Sequence, residues 1–332
     1  MELPSLSVII PNYNHARYIG RALEALLCQS VQPSEIIVID DGSTDDSVAV
    51  ISEFLSRGSI VQLLKNETNR GVEASISRGL THACGDYLYW TSSDDQVLPG
   101  FVERSLAVLA RYPQAGLVWS DNMTYEPATG MRNANRLWLS EAPRYFSRAE
   151  LVELFRRNQV PCLSGFSTVM RRSAFLEPGV FVPGLKWYSD AFAVTIIALR
   201  HGACYIPEVL TESHMSSESY MRRGTRHRQH RQQVLRHLLG VSKAQEYQDV
   251  YEALRESGAL GWFDFPILVE VLRNPAHRDL LTRPFLRRVL WHGLKKSISG
   301  VSPTCAKGLY HRLRDCYRRN VRGVFAPVTP DS

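Results

Sequence analysis

The residues of this sequence best placed to do chemistry are carboxylates in three short clusters, Asp40-Asp41, Asp94-Asp95 and Asp190. Asp94 and Asp95 close the run Asp86-Tyr87-Leu88-Tyr89-Trp90-Thr91-Ser92-Ser93, which is entered from Gly85 and left through Val97-Leu98-Pro99. An apolar, aromatic run of this kind reads as a buried strand whose C-terminal end delivers acidic groups to a crevice. In an open α/β sheet that edge is where ligands bind. Two carboxylates there can hold Mg²⁺ or Mn²⁺, ions that keep positions free for phosphate oxygens. The alternative is an acidic surface turn. Asp190 follows Ser189 and precedes an apolar stretch from Ala191 to Leu199, long enough for a buried helix. Ser189 is expected to cap that helix, and a carboxylate in its first turn either serves the chemistry or simply suits the helix dipole.

The elements that must position these groups alternate along the chain. Leu6 to Ile10 form a strand ended by Pro11-Asn12-Tyr13-Asn14, and Ile19, Leu23, Leu26 and Leu27 then recur at helical spacing between about His15 and Gln29. A second strand, Glu35 to Ile39, ends at Asp40-Asp41-Gly42-Ser43-Thr44-Asp45, where Gly42 permits a sharp turn and Ser43 or Thr44 can cap the next helix. Ile60 to Leu64 make a third strand. After Asn69-Arg70-Gly71 a third helix carries Ile76 and Leu80 inward. Four strands alternating with three helices predict parallel pairing with right-handed crossovers. The strand ends Asn12-Tyr13, Asp40-Asp41 and Asp94-Asp95 then share one edge. Beyond Pro99, a helix through Val102, Leu106 and Leu109 and a strand from Ala115 to Ser120 follow. Asn122 to Arg144 reads as a loop or hairpin, and Ser147-Arg148-Ala149-Glu150 as a capping box.

The chain's 332 residues allow one large α/β domain with an appendage. A hydrophobic content of 44% with 22% charge excludes a disordered chain without separating enzyme from binder. Net charge +6 suits an anionic partner. The six cysteines show no Cys-x-x-Cys spacing and are expected to be reduced core thiols. Met1-Glu2-Leu3-Pro4 lacks the basic start of a signal peptide, and no apolar run is long enough to cross a bilayer, so a cytoplasmic location is expected.

Ser7-Val8-Ile9-Ile10-Pro11-Asn12-Tyr13-Asn14, then Glu35 through Asp45, then Asn69-Arg70-Gly71, then Ser93-Asp94-Asp95 with Leu98-Pro99 behind it, resemble family 2 glycosyltransferases. The likeness is strong over residues 1–100 and looser to Leu210. It implies an α/β fold of the GT-A type, a Rossmann-like, mostly parallel sheet flanked by helices. On this resemblance residues 1–220 form the transferase domain, with 1–100 binding the nucleotide sugar and 101–220 the acceptor. Pro11, Tyr13 and Asp41 would line the base pocket, with Arg70 as a cationic contact to the donor. Asp94 would meet a divalent metal, Mn²⁺ or Mg²⁺, with Asp95 and His214 as further ligands. Ser92 stands where the family has the first aspartate of its Asp-x-Asp motif. Its hydroxyl can bond a ribose oxygen or a water ligand but brings no charge to the cation. Trp187-Tyr188-Ser189-Asp190 matches the position of the catalytic base, so Asp190 would deprotonate the acceptor hydroxyl and the anomeric carbon would invert. Thr211 to Ser216 resembles the segment that closes over the donor. The implied donor is a nucleotide-diphosphate sugar, a UDP-sugar first, and the acceptor a glycan or lipid-linked glycan of a bacterial surface polysaccharide. Two rivals are a non-catalytic nucleotide-sugar or membrane binder descended from such an enzyme, which the Ser92 departure favours, and a sugar nucleotidyltransferase. The latter needs an early glycine-rich loop, and Pro11 to Arg17 contains no glycine.

From Tyr220 onward the sequence turns basic and helical, so that 221–332 reads as a C-terminal helical extension. A first cluster runs from Arg222 to Arg231. A second, from Arg283 to Arg322, holds eleven Lys and Arg against Asp315 alone, interleaved with Phe285, Leu286, Val289, Leu290, Trp291 and Leu294. That pattern fits a helix lying on an anionic membrane surface, or one packed on the catalytic domain with a solvated basic face. No nucleic-acid-binding motif accompanies the charge.

Overall fold

The computed structural model describes residues 3–56, 60–160, 162–215, 219–263 and 265–299, the stretch 292–299 by its backbone. Strands β1 (Leu6–Asn12), β2 (Glu35–Asp40), β3 (Val61–Lys65) and β4 (Tyr87–Trp90) alternate with helices α1 (Ala16–Leu27), α2 (Ser47–Leu55) and α3 (Val72–His82). They pair in parallel in the order β3-β2-β1-β4. Alternate residues point to opposite faces, as the strand period requires. Val8, Ile10, Ile36, Val38 and Tyr89 enter the cluster under α1, α2 and the next helix. Ile9, Ile37, Ile39, Leu88 and Trp90 enter the cluster on the other side, beneath α3. Both faces are therefore covered, which is why these strands read as continuous apolar runs.

The second half continues the same sheet. After β5 (Gln96–Val97) and α4 (Phe101–Arg111) come β6 (Leu117–Glu126), β7 (Met131–Asn135) and β8 (Arg144–Phe146). Then follow α5 (Arg148–Arg156), β9 (Thr168–Arg171), α6 (Arg172–Phe175), α7 (Ser189–His201) and β10 (Ala203–His214). Strand β9 lies antiparallel between β4 and β6, and β6 and β10 are parallel. The hairpin expected within 122–144 is β6–β7, and the capping box at Ser147 forms with Glu150. Two expected caps do not form. Ser43 is drawn to the Asp40 carboxylate, donating at 2.6 Å, and Asp45 instead accepts from Ser47 N at 3.0 Å at the start of α2. Ser189 Oγ does not turn back on α7 but donates to Glu73, 2.7 Å away.

Helices α8 (Tyr220–Arg226), α9 (Arg228–Ser242), α10 (Gln248–Ser257), α11 (Pro266–Arg273) and α12 (Arg283–Ser299) complete the described chain. They add to an existing core: Leu235, Leu238, Leu254, Phe285 and Val289 lie in one cluster with Trp187, Phe192 and Ile196. Of the basic segment 283–322, the opening turns are docked. Phe285 and Val289 are buried, and Arg288, 1% exposed, donates to Val160 O at 3.1 Å and to Phe155 O. The packed alternative therefore holds for the head of α12, and residues 300–322 lie outside the description. Among the described residues, Cys28, Cys84, Cys162 and Cys204 are free thiols, but Cys28 and Cys84 are exposed rather than in the core. No described helix is long and apolar enough to cross a membrane.

Phe285→Ala is expected to remove about 3–5 kcal/mol of stability and to lower one cooperative unfolding midpoint. A midpoint equal to that of the wild type would mean that α12 does not share the core.

Candidate active site

Three strand ends and one helix start meet at the C-terminal edge of the parallel strands. Register places Asn12 opposite Asp40, so β1 and β2 end level, whereas Trp90 lies opposite Ile9, so β4 stops three residues earlier and leaves the segment from Thr91 on to approach that edge. Asn12 Nδ2 donates to Asp40 Oδ1 at 2.9 Å, and Asp40 also accepts from Ser43 N at 3.0 Å. Asp40 thus builds the turn.

Asp41 builds the wall beside it. Its carboxylate accepts from Asn66 Nδ2 at 2.6 Å, Arg70 N at 3.0 Å and Gly71 N at 2.8 Å. These bonds fold the 66–71 loop back over the end of β2. Gly42 makes the fold possible: its φ is +73°, and a Cβ there would lie 2.9 Å from the Thr68 carbonyl carbon. Three of the carboxylate's roughly four lone-pair sites are taken, which leaves room for one further N–H. Tyr13 is 41% exposed at this edge, available as a ring surface instead of buried in the core, and Arg70 is exposed as well.

At the end of β4 the acidic pair forms a tight turn, with Asp95 N donating to Ser92 O at 3.1 Å. Ser92 Oγ donates to Asp94 Oδ1, so the serine spends its proton on the neighbouring carboxylate. Strand β5 follows at once and pairs with β10 (Val97 opposite Thr211), which brings His214 N to 3.0 Å from Asp95 Oδ1. Burial, then the charge of Asp94, push the Asp95 carboxyl well above the usual carboxylate range, with a smaller push from Asp190.

His214 ends a buried strand at 7% exposure. Its Nε2 lies 2.5 Å from Arg21 Nη2, and its ring packs edge-on against Tyr18 with centroids 5.6 Å apart. Burial and Arg21 both lower its pKa, so the imidazole faces the guanidinium as a neutral acceptor. To ligate a metal, His214 would have to release Arg21. Ser216, at the far end of the segment expected to close over the donor, lies outside the described residues.

Asp190 sits in the first turn of α7, where its Oδ2 accepts from Gly165 N at 3.3 Å. A Cβ on Gly165 would lie 2.5 Å from Trp90 Nε1 and 3.0 Å from Asp190 Cβ, so the glycine lets Asp190 approach the end of β4. Burial raises the Asp190 pKa against the opposing backbone N–H bonds.

The Asp190 turn is held from across the site by Glu73, in the first turn of α3. One carboxylate accepts from Gly184 N at 3.2 Å, Lys186 N at 2.7 Å and Ser189 Oγ at 2.7 Å. Lys186 has φ +55°, a conformation costly for a non-glycine residue, and its N–H is one of those held.

Sequence reasoning missed Glu73, Arg21, Tyr18 and His15. His15 Nδ1 lies 2.6 Å from Ser93 Oγ. The last three form an i, i+3, i+6 stripe along α1, beside the apolar stripe that identified the helix. That spacing was the available signal. Glu73 carried none, since its partners lie more than 110 positions away.

The donor set at Asp94-Asp95 can be tested against a divalent cation. Among the described residues no three His, Cys, Asp or Glu side chains are grouped to hold one. Two adjacent carboxylates, with the Asp95 pKa raised by burial and then by the Asp94 charge, fit an Mg²⁺ or Mn²⁺ that would take its remaining ligands from phosphate and water.

Residues 7–177 match the family model for glycosyl transferase family 2. An uncharacterized glycosyltransferase of Nostoc is 32% identical over 229 residues, 64% of this chain and 68% of that protein. An uncharacterized glycosyltransferase of Haemophilus influenzae is 38% identical over 106 residues, 32% of this chain and 42% of that protein. The chain spans less than half the length of several such relatives, the putative glycosyltransferase EpsE of Bacillus subtilis among them at 48%. In fold it is similar to S. aureus TarS 1–349 in complex with UDP-GlcNAc, with TM-score 0.59 and 17% identity over 76% of this chain and 72% of that one. It is also similar to the mannosyltransferase PcManGT of Pyrobaculum calidifontis in complex with GDP-Man and Mn²⁺. There the TM-score is 0.55 and identity 17%, over 96% of this chain and 83% of that one.

Glu73→Ala is expected to speed amide hydrogen exchange at Gly184 and Lys186 on the order of tenfold or more, leaving β1 and β2 protected as before. Unchanged exchange at both amides would show that Glu73 does not hold the Asp190 turn.

Proposed function

Because the chain belongs to glycosyl transferase family 2, we propose that it moves a sugar from a nucleotide diphosphate to a hydroxyl of a glycan or glycolipid, with inversion at the anomeric carbon. The observation that carries this reading is that the Asp41 wall and the Asp94-Asp95 turn follow the ends of the parallel strands β2 and β4, with Asp190 packed through Gly165 against Trp90 at the end of β4. In this reading Pro11, Tyr13 and Asp41 receive the base, and the one free lone-pair site of Asp41 takes a base N–H. Arg70 and Ser92 contact the donor's phosphates and ribose. Asp94 and Asp95 would hold the divalent cation, with His214 a further ligand if Arg21 released it. The cation supplies charge neutralisation at the departing diphosphate. A UDP-sugar is the first donor to test, since a neighbour of this fold holds UDP-GlcNAc.

Asp190 takes the acceptor's proton. Its pKa, raised by burial, makes it a better base than an ordinary aspartate once ionised. A single base without a covalent nucleophile implies direct displacement and therefore inversion. A role in building bacterial surface polysaccharide, on the cytoplasmic side of the membrane, fits this chemistry. The alternative of a non-catalytic nucleotide-sugar binder draws on Ser92, whose hydroxyl is committed to Asp94.

The test is release of nucleoside diphosphate from a panel of nucleotide sugars with Mn²⁺. Asp190→Asn is expected to lower turnover by roughly 10²–10⁴-fold with nucleotide affinity retained, and Asp94→Asn to weaken nucleotide binding in Mn²⁺. Release that survives Asp190→Asn would remove the base from the mechanism, and binding without release in the wild type would favour the binder. Turnover should rise with pH as Asp190 loses its proton, at a midpoint above the usual aspartate range. An acid limb at the ordinary aspartate value would contradict the assignment.

A further inference from the structure

Between Glu218 and Glu246 the chain has no acidic residue, and it carries seven arginines and lysines there. Helices α8 and α9, which hold most of them, are packed directly on the turn that bears Asp190. A Cβ on Gly224 would fall 2.2 Å from the Trp187 ring, so the α8 backbone rests on that indole. The rings of Tyr220 and His230 pack edge-on against the same indole, with centroids 6.2 and 5.4 Å away, and the Lys186 ammonium meets His230. Trp187 and Lys186 stand three and four residues before Asp190. The basic surface therefore adjoins the turn that leads into Asp190.

Two of the cations serve the fold, Arg236 in its pair with Glu270 and Lys243 with Asp279. Arg222, Arg223 and Arg228 are different. Among the described residues no carboxylate pairs with them, and Arg223 and Arg228 are exposed. Like charges gathered without counterions destabilise a surface unless an anion is to be bound there. Beside them Tyr220 and Met221 are 44% and 51% exposed, an apolar strip for a sugar ring to lie on.

We propose that α8 and α9 form the acceptor-binding surface and that the acceptor is a phosphate-bearing glycan. The inference rests on the transferase reading and adds the class of acceptor. A bilayer is the less suited partner. An interfacial helix needs a free apolar face, and α9 spends Val234, Leu235, Leu238 and Leu239 in the core. What α9 leaves outside is charge, and the large exposed apolar groups of α8 beside it are only Tyr220 and Met221, enough for a sugar ring but not for a bilayer face.

The test uses the full chain and inorganic polyphosphate as the probe, with neutral dextran as the uncharged control. Wild type is expected to bind polyphosphate and not dextran, with affinity that falls as salt rises. The triple variant Arg222→Gln/Arg223→Gln/Arg228→Gln is expected to lose affinity on the order of tenfold to a hundredfold. The corresponding triple lysine variant should hold within about threefold of wild type, because charge and not the guanidinium fork is what a flexible polyanion reads. Should the glutamine triple fail to fold, Arg223→Gln and Arg228→Gln, each exposed, give the same comparison singly. Equal binding by wild type and the glutamine variants overturns the proposal. So does arginine-dependent sedimentation with phosphatidylglycerol vesicles in the absence of polyphosphate binding, an outcome that assigns the surface to a membrane. UDP binding to wild type in Mn²⁺, measured on the same preparation, reports on the transferase reading separately: its loss sinks that reading while the polyphosphate result still decides this one.

Discussion

The arrangement depends on one half-buried bracket, the Glu73 carboxylate. It rises from the helix that follows the 66–71 loop and takes three donors from the segment that leads into Asp190. A carboxylate satisfied by backbone N–H groups and a hydroxyl is a strong, directional tie, because each bond is charge-assisted. It also holds Lys186 in a left-handed conformation that a free chain would abandon. That tie acts beside the Gly165 contact with Asp190 and Trp90 in fixing Asp190 relative to the acidic turn at the end of β4. The sheet joins the two parts of the chain through β9, and Glu73 adds a bond from α3 to the turn before Asp190.

The remaining polar groups follow the same economy, each carboxylate having a separate task. Asp40 shapes the turn, Asp41 shapes the loop and keeps one lone-pair site open, and Asp94 stands beside Asp95, whose pKa is raised by burial and then by the Asp94 charge. Like charges this close are stable only if one stays protonated or a cation joins them. Ser92 tempers the crowding, since its hydroxyl bonds Asp94 where a third carboxylate would add to the repulsion. Arg21 stands at the rim, its guanidinium shared between the Asp94 carbonyl and His214.

How much of this was legible from the sequence depended on the range of the interaction. Strands β1 to β4 and the edge they share were readable because strand ends, turns and apolar periodicity are local signals. So was the capping box at Ser147, which needs only four residues. Local reading failed where a distant partner outbid the near one. Ser43 and Ser189 look like helix caps, yet Asp40 and Glu73 capture them. It failed again at α12, whose basic, amphipathic pattern suits a membrane or a core equally. Burial of Phe285, Arg288 and Val289 against the domain decides its opening turns. Of the site itself, the acidic residues stood out by type and motif, whereas Glu73 and the Arg21 stripe acquire meaning only from contacts made across the fold.

The central claim is that donor phosphates and acceptor proton are handled on opposite sides of one gap, by Asp94 and Asp190. Diffraction from crystals grown with a UDP-sugar and Mn²⁺, recorded at the manganese edge, measures it directly. The expected map has the anomalous peak between the Asp94 carboxylate and the diphosphate. Asp190 should face the anomeric carbon from the other side, leaving space for an acceptor oxygen about 3–3.5 Å from it. A peak away from Asp94, or an Asp190 carboxylate on the diphosphate's own side, would contradict the account.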